Sequence, residues 1–137
     1  IAPRLLLDDA TQMLGEIEVD PAHLAVVVEG MNRVVNGPRG TARGSMIADE
    51  KFAFGGKTGT SQVRKLLVPG QDQKSIPWEF RHHAWFVGYA PVSKPEICCS
   101  VIIEHGGGGA SAAAPVARDV LLKAQELRAG ITTKEEA

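Results

Sequence analysis

Lys57, Thr58 and Thr60 stand in the run "AFGGKTGTSQVR", residues 53 to 64, where an amine and hydroxyls follow two glycines. A phosphate loop is one chemistry such a set invites. Its pattern, G-x-x-x-x-G-K-[ST], needs a glycine at position 51 and a helix directly after the Lys-Thr pair. Position 51 is Lys51, and Gly59 with a β-prone run follows the pair instead. The alternative is a strand that presents its edge to a ligand. Alternate side chains of a strand share a face, which puts Lys57 and Gly59 on one side and Thr58 and Thr60 on the other. Gly59 leaves room for a ligand backbone to lie alongside. A cation, two hydroxyls and a free N–H near Thr60 suit a carboxylate beside a polarised carbonyl. A surface lysine next to a glycine-rich bulge is the plain structural alternative.

The elements around this run follow from capping and periodicity. In "DPAHLAVVVEGMNRVVNGP", Asp20 suits the cap and Pro21 the first helical position. Leu24, Val27, Val28, Met31, Val34 and Val35 form one apolar face, expected to be core, and Asn36-Gly37-Pro38 ends the helix. The segment "RGTARGSMIADE" reads as a loop or short helical turn. A strand is expected through about residues 54 to 63. "PGQDQKSIPWEFR" is a long polar connection, "HHAWFVGYAP" a short aromatic strand, and Pro91 to Pro95 a tight turn. "EICCSVIIEH" is almost continuously apolar, which suits a central strand covered on both faces. After the flexible joint "GGGGASAAAP" comes an amphipathic helix, with Val116, Val120, Leu121, Ala124 and Leu127 expected inward and Gly130 ending it. The tail "ITTKEEA" is polar. The turn between the last two strands is too short for a parallel crossover of about a dozen residues, so they pair antiparallel. The expected class is α+β, an antiparallel sheet flanked by helices.

The whole-chain properties narrow the function. At 137 residues the chain fits one domain of roughly 100–150 residues. Fifteen basic and sixteen acidic residues, with 5% aromatics, argue against a nucleic-acid binder. No stretch approaches the roughly 18 consecutive apolar residues of a membrane span. The start, "IAPRLLLDDATQ", lacks the apolar run of a signal peptide and does not begin with Met, which suggests a piece of a longer chain. Cys98 and Cys99 are neighbours on a strand, point to opposite faces and are read as two small buried apolar residues. His82, His83, His105, Cys98, Cys99 and Glu104 match no metal-binding spacing, so no metal is expected. His83 is expected to make a structural hydrogen bond, and Glu104 and His105 to tie down the joint that follows. Trp85, Phe86 and Tyr89 are read as core or sheet surface.

The motifs become specific when taken together. "GGKTGTSQV" resembles the third motif, Lys-Thr-Gly, of the penicillin-binding transpeptidase and serine β-lactamase superfamily. "VVEGMNRVVNGPRGTA", "FAFGGKTGTSQV", "HAWFVGYAP" and "VIIEHGGGGASAAAPVARDVL" resemble, in that order, the C-terminal part of class B penicillin-binding proteins, most of all their elongation-type members. The resemblance implies an incomplete β-lactamase/transpeptidase-like fold, with residues 1–137 as the C-terminal fragment of a transpeptidase domain. It implies a peptidoglycan D,D-transpeptidase acting on stem peptides that end in D-Ala-D-Ala and acylated by β-lactam antibiotics. An inner-membrane anchor outside this chain, a periplasmic site, a cell-elongation glycosyltransferase partner and no cofactor go with it. Carried onto this sequence, Lys57 supplies positive potential and orients second-motif hydroxyls, Thr58 and Thr60 hold the terminal carboxylate beside Gly59, and the Thr60 N–H is half of the oxyanion hole. The nucleophile motif Ser-x-x-Lys is missing: none of Ser45, Ser61, Ser75, Ser93, Ser100 and Ser111 has lysine three residues on. Ser-x-Asn is missing too, so the chain alone is expected to be inactive. A catalytically dead peptidoglycan- or protein-binding module, or a serine β-lactamase fragment, are the alternatives.

Overall fold

The structure, a computed structural model, describes Ala10 and residues 14–63 and 72–131. Residues 132–137 of the polar tail and 69–71 of the long polar connection lie outside the described residues. Helix α1 runs Pro21–Asn36, as its signals predict: Asp20 Oδ1 accepts from the Ala22 N–H at 2.8 Å. The Gly37 N–H closes the other end on the Arg33 carbonyl. Its apolar face is core only in part. Val35 is fully buried and Val28, Met31 and Val34 are half-buried, but Leu24 and Val27 are 52% and 58% exposed. Periodicity locates an apolar stripe on a helix and does not say how far a neighbour covers it.

Strands β1 (Gly55–Ser61), β2 (His83–Ala90) and β3 (Ile97–Ile103) form an antiparallel sheet in that order. On one face, Ala84, Phe86, Gly88 and Ala90 are buried against helix α2 (Ala114–Arg128) and its Leu121. Phe54 meets Phe86 edge to face at 6.0 Å. On the other face Trp85, Val87 and Ile102 are exposed. Strand β3 corrects the expectation of a strand covered twice. It is an outer strand of the described sheet, and its residues alternate half-buried and exposed. Cys98 is exposed while Cys99 is half-buried, where burial, with a smaller contribution from Cys98, pushes the Cys99 thiol up. A continuous apolar run shows that both faces can be covered; the neighbouring surfaces decide whether they are.

Helix α2 is rotated from its expected setting. Ala114, Ala117, Leu121 and Gln125 are buried, whereas Val116, Val120 and Leu127 are 42%, 51% and 59% exposed. The reason is close packing: a Cβ on Gly88 would stand 3.2 Å from Leu121 Cδ1, so the Leu121 side chain occupies the space that a sheet glycine leaves open. The larger valines are left outside. Gln125 Nε2 donates to the Phe52 carbonyl at 3.0 Å, which satisfies its buried amide. Gly130, at φ +72°, terminates the helix as expected. The expected flexible joint is partly helical: Gly109–Ala113 forms a π-helical turn leading into α2. Among the described residues no helix is long and apolar enough to cross a membrane.

Candidate functional site

The two glycines ahead of Lys57 serve packing. A Cβ on Gly55 would lie 2.7 Å from the Tyr89 ring, and one on Gly56 would lie 2.2 Å from the Phe86 ring. Both are buried, and they let β1 approach the aromatic side chains of β2. No helix follows Lys57-Thr58; β1 continues to Ser61. That backbone is an extended strand rather than a phosphate cradle.

Strand β1 pairs with β2 on one side and has no strand partner on the other among the described residues. Lys57 is exposed, and its Nζ donates to the Thr58 carbonyl at 2.6 Å. Backbone groups alternate sides along an antiparallel strand, so Thr60, two residues on, turns its N–H toward the same edge as Thr58. Thr58 is half-buried and its Oγ1 lies 3.1 Å from Thr41 Oγ1, on the loop after α1. Thr58, Gly59 and Thr60 line an open cleft of about 270 Å³, closed on the far side by Gly108, Gly109 and Ala110. The register places Lys57 and Gly59 on the face of Trp85 and Val87, and Thr58 and Thr60 on the face of Phe86. The cleft therefore gathers the hydroxyls and the glycine, while the ammonium reaches the strand edge from the opposite face. A larger hollow of about 450 Å³ beside α1 is lined by Arg33, Pro38, Arg39 and Thr41. It adjoins the site through Thr41, but its Arg33 is already paired with Glu29 at 2.6 Å.

The cleft's far wall rests on glycine contacts and a set of histidines. A Cβ on Gly109 would lie 2.3 Å from the Trp85 carbonyl oxygen and 2.5 Å from that of Gly59. Behind it, His105 has a left-handed backbone, φ 53°. Its N–H donates to His83 Nδ1 at 2.9 Å, and its own Nδ1 lies 3.1 Å from the Arg81 carbonyl. A carbonyl only accepts, so His105 carries its proton on Nδ1. The Gly107 N–H donates to the His82 carbonyl at 2.8 Å, and Trp78 and His83 flank the His105 ring. The structural hydrogen bond expected of His83 and the tie expected of His105 are both present. Sequence reasoning missed Thr41 and the position-specific need for Gly109; neither has a local signal, since each depends on a residue far along the chain.

Residues 3–122 match the penicillin binding protein transpeptidase domain family, and the chain belongs to that family. It is similar to the peptidoglycan D,D-transpeptidase MrdA of Haemophilus influenzae, 42% identical over 93 residues, which is 67% of this chain and 14% of that protein. Among solved structures it is similar to PBP2 of Pseudomonas aeruginosa in complex with WCK 5153, at TM-score 0.57 and 36% identity, covering 86% of this chain and 22% of that one. PBP2 of Helicobacter pylori in complex with MreC aligns at TM-score 0.60 and 28% identity, covering 81% of this chain and 18% of that one. The fold is thus part of the transpeptidase fold, and the chain spans less than a quarter of the length of each of these relatives.

Proposed function

We propose that this chain is the C-terminal part of the transpeptidase domain of a peptidoglycan D,D-transpeptidase and carries one wall of its site. The observation that supports this most directly is that β1, whose Thr58, Gly59 and Thr60 line an open cleft, has no strand partner on one side among the described residues. A peptide lying along that side would hydrogen-bond as an added strand. Thr58 and Thr60 would hold the carboxylate of a stem peptide ending in D-Ala-D-Ala, and the Thr60 N–H would receive the oxyanion formed at the penultimate carbonyl. Lys57 would supply the positive potential that favours both anions. A serine from the remainder of the enzyme attacks that carbonyl; D-alanine leaves with the serine's proton, and the resulting ester passes its acyl group to a neighbouring strand's amine. β-Lactam antibiotics acylate the same serine. The site is placed on the periplasmic side of the inner membrane, beside a glycosyltransferase partner.

The chain alone is inactive on this reading, because its six serines include no Ser-x-x-Lys. The test is labelling with a fluorescent penicillin. The complete enzyme should label, its Lys57→Ala variant should label at a rate lower on the order of 100-fold or more, and the 137-residue chain should not label. Near-normal acylation of the variant, or a stable adduct on the chain alone, would overturn the assignment.

A further inference from the structure

We propose that His83 is a positioning residue for the transpeptidase cleft, acting through the lone pair on its Nδ1; this rests on the function proposed above. The path is short. His83 Nδ1 accepts the His105 N–H at 2.9 Å and so holds a turn whose φ of 53° is uncommon for a residue with a side chain. That turn sends the chain past His82, whose carbonyl takes the Gly107 N–H, to Gly108 and Gly109. Gly108 and Gly109 are the wall facing Thr58 and Thr60 across the cleft. The same short segment therefore joins an imidazole to the place where the ligand's carboxylate would sit.

A side chain with no acceptor at the Nδ1 position would leave the His105 N–H without that partner and release the turn. The groups around His83 do not replace the lost bond. His105 uses Nδ1 to reach the Arg81 carbonyl, and His82 uses its Nδ1 for the Val63 N–H at 3.3 Å. The Arg81 guanidinium is directed at the carbonyls of Ile76 and Lys74. On the β1 side the register partner is the uncharged Ser61.

Two variants test the positioning role, read by penicillin acylation of the complete enzyme. His83→Asn keeps an acceptor oxygen near the Nδ1 position and should acylate close to the parental rate. His83→Phe should be slower by about tenfold, the equivalent of one net hydrogen bond at the upper end of the usual range. A His83→Asn variant as slow as His83→Phe, or parental rates in His83→Phe, would overturn the proposal. If either variant fails to fold, amide hydrogen exchange of the unmodified chain decides: the His105 amide should exchange as slowly as the amides bonded between β2 and β3, and a His105 amide that exchanges like an exposed one would overturn the proposal as well. A parent enzyme that takes up no penicillin would instead refute the proposed function, and the exchange measurement would still read the clasp.

Discussion

A methyl group added to Gly109 would meet the carbonyl oxygens of Trp85 and Gly59 at 2.3 and 2.5 Å, closer than any van der Waals contact. These are backbone atoms of two paired strands and cannot step aside singly. Gly109→Ala should therefore cost about 1–3 kcal/mol, as overpacking does, and should widen the Thr58–Gly109 cleft. The neighbouring Gly108 is the control: its added Cβ would meet only Ser111 Oγ, at 3.3 Å, which can rotate away. Urea unfolding of both variants checks this, and equal losses would show that the contact does not matter. At Thr58 the hydroxyl is shared with Thr41. Thr41→Val should leave Thr58 Oγ1 without that partner and slow penicillin acylation in the complete enzyme by several-fold, in keeping with about 0.5–1.5 kcal/mol for a net hydrogen bond.

At the scale of elements, α1 is held to the sheet by its last turns and by the Tyr89 hydroxyl, which donates to the Val28 carbonyl at 3.1 Å. Tyr89 is 9% exposed. Burial first, and the Glu29 carboxylate second, push its phenol up. The fold thus favours the neutral phenol. Its contribution is complete below the ordinary phenol range and is lost as pH rises through the raised value. Stability should fall on the alkaline side, and less steeply in Tyr89→Phe, which should itself cost about 0.5–1.5 kcal/mol at neutral pH. The Cys99 thiol, also raised, adds a loss of the same sign in both proteins. Helix α2 depends on Leu121, fully buried against Gly88 and Phe86. Leu121→Ala should cost about 2–5 kcal/mol by thermal or urea unfolding, whereas Val120→Ala, on a residue half exposed, should cost far less.

For the whole molecule, the distribution of apolar surface has a consequence of its own. Trp85, Val87 and Ile102 on one sheet face, with Leu24, Val26 and Val27 on the first half of α1, are 38–72% exposed. Exposed apolar surface of this kind drives association. The 137-residue chain should show concentration-dependent self-association in sedimentation velocity, weakened by pairing Val27→Glu with Ile102→Lys. A chain that stays monomeric at high concentration would contradict this. The same surface accounts for two of the expectations that the structure corrected, the buried face of α1 and the doubly covered β3.

Signals carried by neighbouring residues were legible in the sequence. Asp20 and Pro21 begin α1, Gly130 ends α2, the short turn from Pro91 pairs β2 with β3, and alternation sets Lys57 and Gly59 opposite Thr58 and Thr60. Each follows from backbone geometry and hydrogen bonding within a few residues, so sequence determines it. Tertiary structure alone decided that β3 is an outer strand of the described sheet, that α2 turns its alanines rather than its valines inward, that Thr41 meets Thr58, and that His83 holds the turn at His105. Those outcomes depend on which distant surfaces arrive opposite one another. Close packing and hydrogen-bond partners are properties of pairs, and the partner's position is fixed only once the chain has folded.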